Sequence, residues 1–336
     1  MADKDKKYNV LNASRLSVAP MMDWTDRHCR YLHRILSRKT LLYTEMITAQ
    51  AILHGDQAQL LAHDSSEYPL ALQLGGSDPA ELAEAVRIAS EHGFSEVNLN
   101  VGCPSDRVQS GSFGAVLMER PELVAECAAA MIGAARGVEI TVKCRIGVDR
   151  QDPEKVLPKF LDTVSQAGVG RFAIHARKAW LEGLSPKENR DIPPLDYPLV
   201  LRMKQQFPAL RIVINGGISS LEQAEGFLAQ GLDGVMIGRA AYHDPIAILQ
   251  MADRRIFGCD HLVSAHQAVG QMLPYIEAHL QGGGRLNQIS RHMLGLFAGR
   301  PGARAWRRVL SEGAHLDWAG PALVERALAE VGNDAA

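Results

Sequence analysis

The chain has 336 residues, 46% of them hydrophobic and 22% charged, and a net charge of -2. That composition suits one large globular domain, or one large and one small, and it excludes a globally basic nucleic-acid binder, so a polyanionic partner has to meet a local patch. The polar start lacks a signal peptide's apolar core, no apolar run approaches the roughly 20 residues of a membrane span, and five cysteines without metal-ligand spacing point to free thiols, a cytoplasmic location and no metal.

Short apolar or β-branched runs predict strands at residues 16–20, 41–45, 69–74, 96–101, 139–144, 171–175, 211–215 and 234–238. Most are nearly continuous in apolar residues, as in a parallel sheet covered on both faces. The gaps exceed the dozen or so residues that a parallel crossover needs, and helical patterns fill them. Asp78 caps and Pro79 opens an amphipathic run to His92. Asp152 and Pro153 do the same before residues 154–167. Ser219 and Ser220 cap residues 221–230, and Gly231 stops them. Eight βα units over about 240 residues predict an α/β fold, a (β/α)8 TIM barrel. A doubly wound open sheet is the structural alternative, but it usually has fewer strands, and no GxGxxG follows the first one here. Later the pattern changes. Helices are expected at 262–280, 288–297, 303–311 and 321–331, with Gly282, Gly283 and Gly284 as a break. The expected organisation is a barrel domain over 1–250 and a small all-helical domain over 251–336.

In a TIM barrel the site is built at the C-terminal face, from strand ends and the loops after them. Here those ends carry Ala19-Pro20-Met21-Met22, Gln73, the Asn100–Cys103 stretch, Lys143, His175 with Arg177, Asn215-Gly216-Gly217 and Gly238-Arg239. Glycines after the seventh and eighth strands let backbone N–H groups approach a phosphate, which this barrel commonly binds there, and Arg239 adds a charged fork. One such turn alone reads as an ordinary connection. Lys143 lies in a buried-type strand, where lysine is rare unless paired. The pattern leaves open whether it faces the outer helices or the interior. An interior lysine suits the ring of a reduced flavin, whose negative charge it stabilises.

Cys103 sits in a loop between Gly102 and Pro104, whereas Cys29, Cys127 and Cys144 read as packed core. At its ordinary pKa of about 8.5 a thiol is mostly protonated at neutral pH and can act as an acid. A nucleophilic role needs a thiolate and a nearby base. Two long loops come after the fourth strand (103–119) and the sixth (176–194), and the second carries Lys178, Trp180, Lys187 and Arg190. Residues 278–311 include no acid but six arginines, Arg285, Arg291, Arg300, Arg304, Arg307 and Arg308, interleaved with Trp306 and glycines. A solvated helix face is the ordinary explanation. Arginine's forked geometry makes a phosphate-backbone surface the other.

Together these stretches resemble the tRNA-dihydrouridine synthases, bacterial subfamily A. The similarity runs from Leu16 to Trp318. It rests on Val18-Ala19-Pro20-Met21-Met22-Asp23-Trp24-Thr25-Asp26-Arg27, Leu99-Asn100-Val101-Gly102-Cys103-Pro104-Ser105, Val142-Lys143-Cys144-Arg145, Ile174-His175-Ala176-Arg177, Gly183-Leu184-Ser185-Pro186-Lys187-Glu188-Asn189-Arg190, Asn215-Gly216-Gly217-Ile218 and Gly238-Arg239-Ala240. The tail adds Arg291-His292-Met293-Leu294-Gly295-Leu296-Phe297 and Gly302-Ala303-Arg304-Ala305-Trp306-Arg307-Arg308.

The resemblance implies an oxidoreductase with FMN as cofactor and NADPH as electron donor. It implies that Ala19, Pro20, Met21, Met22, Gln73, Lys143, His175, Asn215, Gly216, Gly217, Gly238 and Arg239 hold FMN. The substrate it implies is tRNA, with Asn100 at the uracil and Lys187, Arg190, Arg304 and Arg307 on the tRNA. The reaction it implies is reduction of D-loop uridines, U20 and U20a, to dihydrouridine: hydride passes from reduced FMN to C6, and Cys103 protonates C5. Nothing in the sequence demands more than a monomer. Three rival readings stand beside this one: a flavin barrel reducing a free small molecule such as a dihydroorotate-like substrate, a non-catalytic RNA-binding barrel, and a flavin-free lyase or isomerase with Lys143 as imine former. The arginine-rich tail argues against the first, and the intact contact and proton-donor residues argue against the second.

Overall fold

The computed structural model describes residues 10–105 and 113–332, so residues 106–112 of the loop after the fourth strand lie outside the described residues. Eight strands form close to the predicted positions: β1 Leu16–Val18, β2 Leu42–Thr48, β3 Leu70–Gly75, β4 Glu96–Val101, β5 Glu139–Arg145, β6 Arg171–His175, β7 Arg211–Asn215 and β8 Gly234–Ile237. All pair in parallel, in the order β1-β8-β7-β6-β5-β4-β3-β2. The Val18 N–H donates to Leu41 O (3.0 Å) and the Leu41 N–H to Leu16 O (3.1 Å), which brings β1 onto β2 and closes the barrel. The open doubly wound alternative is thereby excluded.

The longer helices are α1 Arg27–Leu36, α2 Pro79–Glu91, α3 Pro121–Ala134, α4 Pro153–Gln166, α5 Tyr197–Gln206, α6 Leu221–Ala229, α7 Ala265–Gln281, α8 Leu286–Met293, α9 Ala303–Gly313 and α10 Pro321–Ala329. The predicted caps are formed. Asp78 accepts from the Ala80 and Glu81 N–H groups, Asp152 from Glu154 and Ser220 from Gln223, each satisfying donors orphaned at a helix start.

The strands are two-sided. Along β4, Val97, Leu99 and Val101 join the core under the helices, while Glu96, Asn98 and Asn100 face the interior. Along β5, Ile140, Val142 and Cys144 face out, and Glu139, Thr141, Lys143 and Arg145 share the inward parity. This settles the orientation of Lys143. At the floor, where the strands begin, the Arg171 guanidinium reaches Glu96 (2.6 Å) and Glu139 (2.7 Å), and the Tyr43 hydroxyl donates to Glu96 (2.7 Å). Thr141 donates to the same carboxylate. Buried charges need such pairing to offset their lost hydration.

Among the described residues the tail is helical and carries no strand. Its core is continuous with that under the barrel helices. Trp306 is fully buried and donates its indole N–H to Met293 O (3.1 Å). The aromatic that interleaves the arginines in sequence is therefore core rather than an RNA-stacking surface. Asp26, the N-cap of α1 at the C-terminal end of the barrel, fastens the tail. Arg291 Nη2 lies 2.5 Å from its carboxylate and His292 Nε2 3.0 Å, and His28 Nδ1 meets Tyr275 OH at 2.8 Å. Burial alone raises the Asp26 pKa, but the hydrogen bond and charge of His292, the Cys29 N–H and Arg291 outweigh it and hold the carboxyl well below its usual range. No helix among the described residues is long and apolar enough to cross a membrane.

Candidate active site

The parallel register gathers the inward polar groups into rows. Gln73 pairs with Asn98 and Asn98 with Thr141; Asn100 pairs with Lys143; Arg145, His175 and Asn215 form a row at the mouth. These residues are far apart in sequence, and closure of the barrel brings them around one opening.

Cys103 lies beyond β4 in a loop whose shape Asn100 sets. The Asn100 Oδ1 accepts from the backbone N–H groups of Gly102 and Cys103, both at 3.0 Å. The thiol is partly exposed, 3.5 Å from Ser105 Oγ, and Cys29, Cys127 and Cys144 are buried, as expected of core thiols. The charges of Lys143, Arg145 and Arg190 all act at Cys103.

Burial, and then the neighbouring Arg145 charge, pull the Lys143 ammonium down to a pKa of about 8. It makes no hydrogen bond or ion pair with another described residue. Burial and the charges of Arg145, Lys143, Arg177 and Arg239 hold His175 well below its ordinary value, so its imidazole is neutral. Behind it, Gly216 has φ +108, and a Cβ there would sit 2.5 Å from His175 Cδ2, so only glycine fits. Gly217 also lies at positive φ, and the Asn215 amide is tied to Met236 O (2.8 Å). Gly238 opens a short helix, Arg239–His243. Arg239 is engaged by Asp191 from the loop after β6 (2.7 Å). Beyond β1, the Ala19 N–H bonds Ile237 O (2.8 Å), Pro20 comes next, the Met21 N–H bonds Thr25 Oγ1 (2.9 Å), and Met22 is exposed.

Two site residues carry no role in the sequence reading. Arg145, nearly buried, donates to Gly102 O (3.1 Å), Lys178 O (3.2 Å) and Asn189 O (3.0 Å), and so staples the Cys103 loop to the loop after β6. Asn189, fully buried, shapes that second loop through the Trp180 N–H (2.7 Å) and the carbonyls of Trp180 and Leu184 (2.8 and 3.1 Å). Arg145 shares the parity of Glu139, Thr141 and Lys143, a sign that becomes readable only once the inward face of β5 is known. Lys187 and Arg190 are exposed in the stapled loop, whereas Lys178 is tied to the carbonyls of Asp149 and Gln151. Arg304 and Arg307 are exposed on α9 in the tail.

A flat anionic cofactor fits this mouth. An interior lysine without a partner among the described residues and a neutral histidine stand beside glycines that leave room for close backbone approach, and Arg145, Arg177 and Arg239 add positive charge.

Comparison with solved structures finds the same barrel in morphinone reductase (TM-score 0.51, 12% identity, 74% of this chain and 87% of that one). It also finds it in a 2-naphthoyl-CoA reductase complex (TM-score 0.54, 13% identity, 73% and 50%). Identity this low speaks for fold alone. Sequence relatives named tRNA-dihydrouridine(20/20a) synthase are 59% identical in Shewanella oneidensis, over 98% of both chains, and 56% identical in Vibrio cholerae, over 96% of this chain and 98% of that one. The family model described as Dihydrouridine synthase (Dus) matches residues 17–331. With the match spanning barrel and tail alike, the chain belongs to the dihydrouridine synthase family.

Proposed function

We propose that this protein reduces uridine to 5,6-dihydrouridine in the D-loop of tRNA, at U20 and U20a, with FMN as cofactor and NADPH as electron donor. The observation that carries the reading is the meeting of the Cys103 thiol, the interior Lys143 and the neutral His175 at one barrel mouth in a chain of this family. Lys143, His175 and Gln73 would contact the flavin ring and ribityl chain. The Asn215–Gly217 and Gly238–Arg239 segments would hold its phosphate, and Ala19 to Met22 would line its edge. The chemistry such a group would supply there, once reduced, is a hydride for C6 of uracil.

The protein's own residues do the rest. The target base must leave its stack to enter a recessed mouth, and Lys187 and Arg190 in the loop after β6, with Arg304 and Arg307 on α9, would offer cations to the backbone that surrounds it. Cys103 gives its proton to C5 from a loop that Asn100 shapes and Arg145 ties down. Residues 1–250 thus act as the catalytic barrel and 251–336 as the tRNA-binding domain of a cytoplasmic monomer. Incubation of unmodified tRNA with the enzyme, FMN and NADPH, and then mapping of dihydrouridine, tests the reading. Product at U20 and U20a is expected, and product confined to other regions overturns the site assignment.

A further inference from the structure

A ladder of side-chain hydrogen bonds crosses the barrel interior from floor to mouth. It begins at Glu96, an acceptor-only carboxylate held by Arg171. The Thr141 hydroxyl gives its one hydrogen to Glu96. Its oxygen must then accept, and it does so from Asn98 Nδ2 (2.8 Å). The Asn98 oxygen faces Gln73 Nε2 (2.8 Å), and the Gln73 oxygen faces Asn100 Nδ2 (2.9 Å). The Asn100 oxygen accepts from the Gly102 and Cys103 backbone N–H groups at 3.0 Å. Backbone N–H groups only donate, so the upper end demands the same orientation that the carboxylate demands from below. A flip of any one amide would set oxygen against oxygen and N–H against N–H, in a buried setting where an unmade bond is costly.

We propose that Glu96, Thr141 and Asn98 are positioning residues, which set the donor–acceptor polarity of Gln73 and Asn100 and hold the Cys103 loop in place. None of the three touches the reacting atoms. In this ladder both amide oxygens are engaged, and the N–H groups left over on Gln73 and Asn100 are donors. Such a wall suits ligand rings whose edges carry carbonyl oxygens, as uracil and the flavin pyrimidine both do. This inference rests on the function proposed above for what those donors meet.

The test compares Thr141→Val, isosteric but without the hydroxyl, with Thr141→Ser, which keeps it. Three readouts are taken: FMN affinity of flavin-stripped protein by fluorescence quenching, alkylation rate of Cys103 in that protein by peptide mass spectrometry, and dihydrouridine formation. Thr141→Val is expected to weaken FMN binding about tenfold, the scale of one lost hydrogen bond, and to change the Cys103 alkylation rate, while Thr141→Ser stays near wild type. Asn98→Leu, cutting the next rung, is expected to reproduce both shifts. A Thr141→Val protein that loses thermal stability alone, with affinity and alkylation unchanged, overturns the proposal, as does equal impairment of Thr141→Ser. Failure of the wild type to make dihydrouridine would instead refute the activity, and the alkylation rate would still judge the ladder.

Discussion

Floor and mouth of the barrel are both lined with polar side chains, yet they handle charge in opposite ways. At the floor, Arg171 is met by Glu96 and Glu139, and Tyr43 and Thr141 complete the carboxylate's bonds. At the mouth, Lys143 has no partner among the described residues, His175 is held neutral by burial and then by the surrounding cations, and Arg145 bonds three backbone carbonyls and no carboxylate. A saturated network stabilises a shape. The mouth, where Asp191 meets Arg239 but Lys143 meets no carboxylate among the described residues, leaves cationic charge unbalanced.

The largest effect is expected at the mouth. Cys103→Ala should slow dihydrouridine formation by about 10²–10⁴-fold while leaving FMN affinity intact, as measured by single-turnover assay and flavin titration. Loss of flavin binding together with activity would mean the thiol is structural, like the floor. The floor answers in stability instead. Arg171→Met leaves the buried Glu96 and the half-buried Glu139 without their counter-charge and should cost about 3–5 kcal/mol in urea unfolding. A much smaller loss would show that the floor, too, tolerates unbalanced charge.

Asp26 lies on the mouth side but is balanced, so it should behave as the floor does on a smaller scale. Asp26→Asn is expected to cost about 1.5–3 kcal/mol at neutral pH. Because the folded carboxyl is depressed, its contribution is present above the unfolded pKa of about 4 and is lost as pH falls through the lower folded value. The deficit of the variant should therefore shrink in acid, as denaturation midpoints measured across pH would record. Lys143 behaves in the opposite sense. Its charge is lost as pH rises through about 8, so FMN binding by flavin-stripped protein should weaken across that pH. Lys143→Met should bind about tenfold more weakly at neutral pH and show no such dependence. Smallest per residue is the tail: replacing Arg304 and Arg307 with alanine should lower the salt slope of tRNA binding by about one per lost phosphate contact.

Much of the barrel was legible because its signals are local. Strand runs, the Asp78, Asp152 and Ser220 caps and the glycine turns after β7 and β8 each occupy a few consecutive residues. The inward face was harder to read. Both faces of the strands are covered, so Lys143 among Val142 and Cys144 gave no sign of direction until the helices were placed. Asp26 went unassigned for another reason: its partners Arg291 and His292 lie more than two hundred residues away. Trp306 misled because an aromatic among arginines suits RNA contact and core packing equally, and only burial distinguishes them.

By itself, then, the sequence determined the eight βα units, the helical tail, the position of Cys103 in a loop after the fourth strand and the family to which these belong, since each is written in short-range pattern. Tertiary structure alone decided that Lys143, His175, Cys103 and Arg145 share one opening, that Asp26 clasps the tail, and that a single orientation of Asn98, Gln73 and Asn100 links Glu96 to the Cys103 loop. Those facts depend on barrel closure and strand register, which set residues from different strands side by side and which no stretch of chain encodes on its own.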